Sequence, residues 1–173
     1  MCNFLSAVVS RTGAIYCNPL MDSHEDIIEY FNLRDGGMGH IVRVEFSPEK
    51  REDLIDSTKY LLKVDEQETP EWFEEHRENV LSHLLQIIKN ITITEDRKIL
   101  LGGAFVIGNN VKVGKLIGCD IKYAGSSTIK YAGSSTIEDA GYSTIENAGS
   151  STIEYAGSST IEGQKHKNGR KVL

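Results

Sequence analysis

From residue 123 the chain repeats an eight-residue unit without interruption. The units read YAGSSTIK, YAGSSTIE, DAGYSTIE, NAGSSTIE and YAGSSTIE, and the last ends at Glu162. The second position is always Ala, the third always Gly, and the fifth to seventh always Ser-Thr-Ile. Two weaker units precede them. Residues 115–122 (KLIGCDIK) keep Ile121 and Lys122 in phase, and residues 107–114 (IGNNVKVG) hold Val113 at the Ile position. A strict short period admits either low-complexity disorder or a solenoid. β-Branched Thr and Ile favour strands, and Ala-Gly permits a tight turn, so a solenoid is predicted. Eight residues cannot close a coil, because a strand of about four already spans ~13 Å. Two octads, sixteen residues, per coil is the economical solution. Seven octads then give about three and a half coils, a stub ~17 Å tall at the ~4.8 Å strand spacing.

Alternation along a strand assigns the side chains. Ile129, Ile137, Ile145, Ile153 and Ile161 point inward, and so do Ser127, Ser135, Ser143, Ser151 and Ser159, two residues earlier. The Thr before each Ile and the charged residue after it face out. With sixteen residues per coil, Thr128, Thr144 and Thr160 form one ladder and Thr136 and Thr152 the opposite one. Lys130 then stacks beside Glu146, Glu138 beside Glu154, and Glu146 beside Glu162. The like-charged neighbours cost a few tenths of a kcal/mol each. A purely structural repeat has no need of them, so Glu138, Glu146, Glu154 and Glu162 are candidate binding residues. Tyr123, Tyr131, Tyr142 and Tyr155 are candidates for a strip beside them, or for simple edge cover.

The unit AGYSTIE (residues 140–146) resembles the octads of bacterial ice-nucleation proteins. That resemblance implies the two-octad coil. It does not imply the activity, since Thr-Ile-Glu replaces the Thr-x-Thr face and the array is short. Over most of the chain, MCNFLSAVV, DSHEDIIEYFNLRD, TPEWF, LLGGAFVI and the octads together resemble small uncharacterised phage and prophage proteins. Those open with a Met-Cys-Asn-Phe strand in an acidic α+β region and end in octads. The resemblance implies a phage-encoded protein and no established chemistry.

Before the repeat, residues 4–10 and 14–17 read as strands joined by a turn at residues 11–13. Ser23 caps a helix running through Phe31, with Ile27, Ile28 and Phe31 buried, and Gly36-Gly37 follows as its stop. Residues 40–46 alternate as a strand, Ser47-Pro48 starts a helix to about Thr58, and residues 60–64 form a further strand. Thr69-Pro70 starts the longest helix, to about Asn90, with apolar residues at the 3.6-residue period. Residues 100–107 lead into the coil. The expected fold is an α+β N-terminal cap (residues 1–99) fused to a short parallel β-solenoid (100–162), with a basic tail (163–173). The long helix is expected to close the first coil, as solenoids need.

Residues 45–78 hold 12 acids and 5 bases, residues 123–162 hold 5 acids and only Lys130, and the last eleven residues hold four bases and no acid. An acidic body repels phosphate, so direct nucleic-acid binding is not expected and a basic protein partner is. No apolar run approaches the roughly 20 residues of a membrane span, so no membrane partner is expected. No leader opens the chain, and Cys2, Cys17 and Cys119 are odd in number and far apart. Both point to a reducing cytoplasmic setting. No Cys or His spacing fits zinc, and no cofactor or metal is expected. His76 and His83 lie seven apart on one helix, and His24-Glu25-Asp26 is a first-turn capping cluster. Gly36-Gly37-Met38-Gly39 follows a helix rather than preceding one, so it reads as a C-cap, not a phosphate loop. Trp72 reads as a core anchor.

Cys2 is the one candidate nucleophile: removal of Met1 would expose a cysteine whose own amine can act as base. The Met-Cys opening is similar to that of N-terminal-nucleophile amidotransferases, which would make the chain a hydrolase or transferase. The leading expectation is instead a non-enzymatic interaction protein that occupies a host protein, a defence or nucleic-acid-handling factor, through its acidic surface. A third is a self-assembling solenoid. An open terminal coil exposes strand backbone, so a homodimer through the C-terminal solenoid end is expected.

Overall fold

The computed structural model describes residues 4–34 and 39–163, in two compact units that divide after Asn90. Cys2, the Gly36-Gly37-Met38 segment and the basic residues of the tail lie outside the described residues.

The N-terminal unit holds β1 (Leu5–Ser10), β2 (Ile15–Cys17), α1 (His24–Tyr30), β3 (Ile41–Ser47), β4 (Leu61–Val64) and α2 (Glu71–Ile91), whose last residue passes into the second unit. The strands form one antiparallel sheet in the order β2-β1-β3-β4. β1 is central, and Leu5, Ala7, Val8 and Val9 are all buried, so both of its faces are covered. Val8 packs with Ile27 of α1 and Ile41 of β3, against Tyr16, Met21, Ile28 and Leu33. Ser23 Oγ accepts from the Asp26 N–H at 3.3 Å, as a capping serine should. The helix ends earlier than a Gly-Gly stop would place it. Asn32 takes the left-handed conformation (φ 49°), and the Leu33 N–H returns to the Ile28 carbonyl.

The helix expected after Pro48 is replaced by two short 3-10 turns, Arg51–Ile55 and Ser57–Lys59. Two local bonds account for this. Ser47 is the last residue of β3, paired with Leu61, and so is not a cap. Asp56 Oδ1 accepts from both the N–H and the hydroxyl of Thr58, which turns the chain where a helix would continue. The long helix forms as its period predicts, burying Phe73, Val80, Leu84 and Ile88. The Trp72 indole donates to the Gly39 carbonyl at 2.9 Å.

The second unit is a parallel β-solenoid of about four turns with about 16 residues per turn. Its five passes are β5 (Thr92–Ile93) and β6 (Arg97–Leu101), β7 (Ala104–Ile107) and β8 (Lys112–Ile117), β9 (Asp120–Tyr123) and β10 (Thr128–Gly133), β11 (Thr136–Asp139) and β12 (Thr144–Ile145), then β13 (Thr152–Tyr155) and β14 (Thr160–Ile161). Odd-numbered strands stack in one sheet and even-numbered strands in the other. Thr128 lies beside Thr144, Thr144 beside Thr160, and Thr136 beside Thr152, which are the ladders expected from a sixteen-residue coil.

The solenoid starts at Thr92, ahead of residue 100, because the strand following α2 already pairs with β7. That early start makes it taller than the octads alone imply. The run LLGGAFVI is two strands, not one. Gly102 and Gly103 both take positive φ (55° and 84°) and turn the chain from one sheet to the other.

Inside, Ile129, Ile137 and Ile145 are fully buried, and Ser127, Ser135, Ser143 and Ser151 are buried beside them. Ala124, Ala132, Ala140 and Ala148 are fully buried too, which alternation does not anticipate. At Lys130-Tyr131 and Glu146-Asn147 the chain bends after the Ile, so two successive residues are exposed before the Ala turns in. The corners explain the invariant glycines. Gly125, Gly141, Gly149 and Gly157 sit at φ 55–58°, and a Cβ on Gly141 would stand 2.7 Å from the Gly125 carbonyl of the coil before. Inward serines satisfy the corner carbonyls: Ser127 Oγ donates to Ala124 O, and Ser135 Oγ to Gly133 O.

Candidate functional site

The outer faces of the two sheets carry the candidate residues, and the register separates them. Glu138 and Glu154 lie on β11 and β13, bracketed by the pairs Thr136–Thr152 and Asp139–Tyr155. Glu146 and Glu162 follow β12 and β14 on the other sheet, where Ile145 pairs Ile161. The four glutamates therefore form two rows on two sheets and not one face.

Glu138 is engaged within the fold. Its Oε1 accepts from Lys122 Nζ at 2.5 Å, and Asp120 Oδ2 is 3.1 Å from the same ammonium. Lys122 is 2% exposed. Burial works to lower its pKa, but the hydrogen bond and charge of Glu138, helped by Asp120, hold it above lysine's ordinary value. This pair is structural. Glu146, Glu154 and Glu162 are exposed. Lys130 and Glu146 are cross-strand neighbours as expected, yet among the described residues no ion pair joins them.

The tyrosines also divide. Tyr123 is buried, its ring 3.0 Å from where a Cβ on Gly141 would lie. Tyr131 leads into the corner at residues 132–135, its ring lying over Gly133 and Gly149. Tyr142 and Tyr155 share the opposite corner. The Ala140 N–H donates to the Tyr155 carbonyl at 2.9 Å, which ties the two turns together, and the rings are 65% and 60% exposed. So Tyr142 and Tyr155 lie exposed at the same corner of successive coils, Tyr155 directly after Glu154, and Tyr131 lies elsewhere.

The remaining sequence candidates have structural surroundings. His24 does not act in the cap. Its ring is buried, with Nε2 3.1 Å from the Val44 carbonyl and Nδ1 3.6 Å from Asp65 Oδ2. His76 lies against Gly13 and Trp72. Cys17 is pushed up to about 12 by burial. Cys119 takes a serine position of the repeat and contacts the Leu100 carbonyl at 3.3 Å, and burial raises its pKa. Among the described residues, no group of three or more His, Cys, Asp or Glu side chains is placed to hold a metal ion, and no helix is long and apolar enough to cross a membrane.

Composition passed over one surface. The outer face of β6, β8 and β10 exposes Lys98, Lys112, Lys115 and Lys130 with Ile99, Leu101 and Ile117. Its signal was present in the two imperfect octads, which place Lys or Ile where the later octads have Thr, Tyr or Gly.

These features define the class: a two-sheet parallel β-solenoid preceded by an α+β unit. No known protein family matches the chain, and searches of curated proteins and of solved structures found no similar protein.

Proposed function

We propose that this chain is a phage-encoded, non-enzymatic interaction protein that occupies a basic host protein through its acidic surface. The observation that supports this reading is the corner of the last two coils, where Tyr142 and Tyr155 stand exposed beside Glu154. Exposed tyrosines cost little side-chain entropy to fix and supply large amphipathic contact areas, which is why they are enriched at interfaces. The neighbouring carboxylate selects for positive charge on the partner. Glu138 takes no part, being bound to Lys122.

The test is a pull-down from bacterial lysate with the wild-type chain and with a Tyr142→Ala, Tyr155→Ala, Glu154→Lys variant. A protein retained by the first and lost with the second, at equal melting temperature, supports the reading. Equal retention by both, or loss of the chain's biological effect in Cys2→Ser with all binding intact, refutes it.

A further inference from the structure

The even-numbered sheet carries a charge pattern that its fold does not require. One outward row runs Lys98, Gly114, Lys130, Glu146, Glu162, one residue per strand from β6 to the end of β14. Lys112 opens a second row whose later members are Thr128, Thr144 and Thr160. Lys115 lies between Ile99 and Tyr131 in a third. The lysines thus cluster on β6, β8 and β10, and the glutamates follow β12 and β14. Among the described residues none of these six side chains has an ion-pair partner, although all are exposed. Later coils satisfy the same backbone with Thr and Glu, so Lys and Ile at the earlier positions serve something other than the coil. Lys98, Lys112, Lys115 and Lys130 repel one another across adjacent strands.

We propose that this sheet pairs face to face with the same sheet of a second copy of the chain. This surface is distinct from the tyrosine corner of the proposed function. Apart from Lys130 on β10 itself, the charge is positive on the β6 and β8 side and negative on the side of β12 and β14. A two-fold axis lying along β10 in the interface plane keeps the strand direction and reverses the coil order. It sets β6 against the β14 of the second copy and β8 against its β12. Lys98 then faces the partner's Glu162, and Lys112 and Lys115 flank the partner's Glu146. Tyr131 meets its own symmetry mate, and Ile117 lies over the partner's Gly149. Lys98 gains Glu162, Lys112 and Lys115 share Glu146, Lys130 on the axis meets its own symmetry mate, and the exposed aliphatic side chains leave water. Packing two copies with the coils in the same order would set lysine on lysine.

Five strands at ~4.8 Å make a face about 19 Å tall. A face of that size is near the lower end of specific interfaces, roughly 1,000 Å² in total, the class of weak and transient associations.

The experiment is sedimentation velocity on the full chain and two charge-reversed variants. The first, Lys98→Glu with Lys112→Glu and Lys115→Glu, has acidic side chains on both sides of β10. The second, Glu146→Lys with Glu162→Lys, has an all-basic face. The substitutions are outward, and circular dichroism melts check that each variant is folded. The wild type should dimerise with an affinity that weakens as salt rises. Each variant alone should lose at least tenfold in affinity, and an equimolar mixture should regain the dimer as a mixed species. End-to-end stacking through the last coil predicts no such rescue. A wild type that stays monomeric, leaving the lysines to another kind of acidic partner, overturns the proposal. So does dimerisation that survives in either variant alone, or a mixture that does not associate. Should a variant fail to fold, the oligomeric state and salt dependence of the wild type still decide.

Discussion

Replacing Ile137 by Ala tests whether the solenoid is held by its narrow core. Ile137 is fully buried on β11, stacked between Ile121 and Ile153 of the neighbouring coils. Ile129 and Ile145 of the other sheet are fully buried in the same core, and the inward Ala and Ser of the repeat are too short to close over a gap. Removing three carbons therefore leaves a cavity that cannot collapse, and the cost falls toward the upper part of the range for such changes, about 4 kcal/mol. Ile161 has the same chemistry but lies in the last coil, half-buried, with Ile145 beside it. Ile161→Ala should cost roughly 1 kcal/mol, since part of its surface is already in water. Thr144→Val on the outer face should change stability by less than about 1 kcal/mol. At about 2–4 °C per kcal/mol for a chain of this size, Ile137→Ala lowers the melting temperature by roughly 8–16 °C, and the other two by a few degrees at most. Far-UV circular dichroism follows the transition, while fluorescence of Trp72, the single tryptophan, follows the N-terminal unit separately. Equal losses at Ile137 and Ile161, or a loss at Thr144 as large as at Ile137, would refute the picture of a packed core that weakens toward its last coil.

Two buried serines should respond oppositely to removal of the hydroxyl. Ser135 Oγ accepts from the Cys119 N–H and donates to the Gly133 carbonyl, each at 3.1 Å, so Ser135→Ala strands both groups and costs about 1–3 kcal/mol. Ser143 Oγ is buried with no partner, so Ser143→Ala leaves the melting temperature unchanged or raises it. Lys122→Met removes the ammonium between Glu138 and Asp120 and should cost about 2–4 kcal/mol at neutral pH. Because the folded pKa of Lys122 is raised, its contribution is complete below the ordinary lysine value of about 10.4 and is lost as pH rises through the folded value. Wild-type and variant melting temperatures should therefore converge in alkali from about pH 10.4 upward, and a constant gap would contradict the assignment. Cys17 and Cys119, raised by burial, should react slowly with a thiol reagent at neutral pH. Rapid labelling of one thiol, absent in Cys2→Ser, would then report Cys2.

The sequence alone determined the solenoid, its sixteen-residue coil, the inward Ile and Ser, and the threonine ladders. Each octad is a local instruction repeated with so little variation that its period could be read directly, and parallel stacking then has one register that keeps Ile on Ile. The long amphipathic helix was legible for the same reason, a period of 3.6 held over many turns. Where local signals compete, only tertiary pairing decided the outcome. Ser47-Pro48 suits a helix start, but pairing Ser47 with Leu61 gains ladder bonds that a helix would forfeit. Gly102-Gly103 inside an apolar run reads as strand until the coil requires a corner there. The bend that turns each Ala inward is likewise a property of the closed coil, not of the strand. The candidate site was least legible. Equivalent glutamates an octad apart fall on opposite sheets because each octad makes half a coil, and whether a glutamate is available depends on what stacks beside it: Lys122 beside Glu138, but, among the described residues, no such cation beside Glu154. Net charge concealed the lysine face for a related reason. Composition sums over the chain, whereas stacking collects residues sixteen positions apart into one surface, and it is the surface that a partner meets.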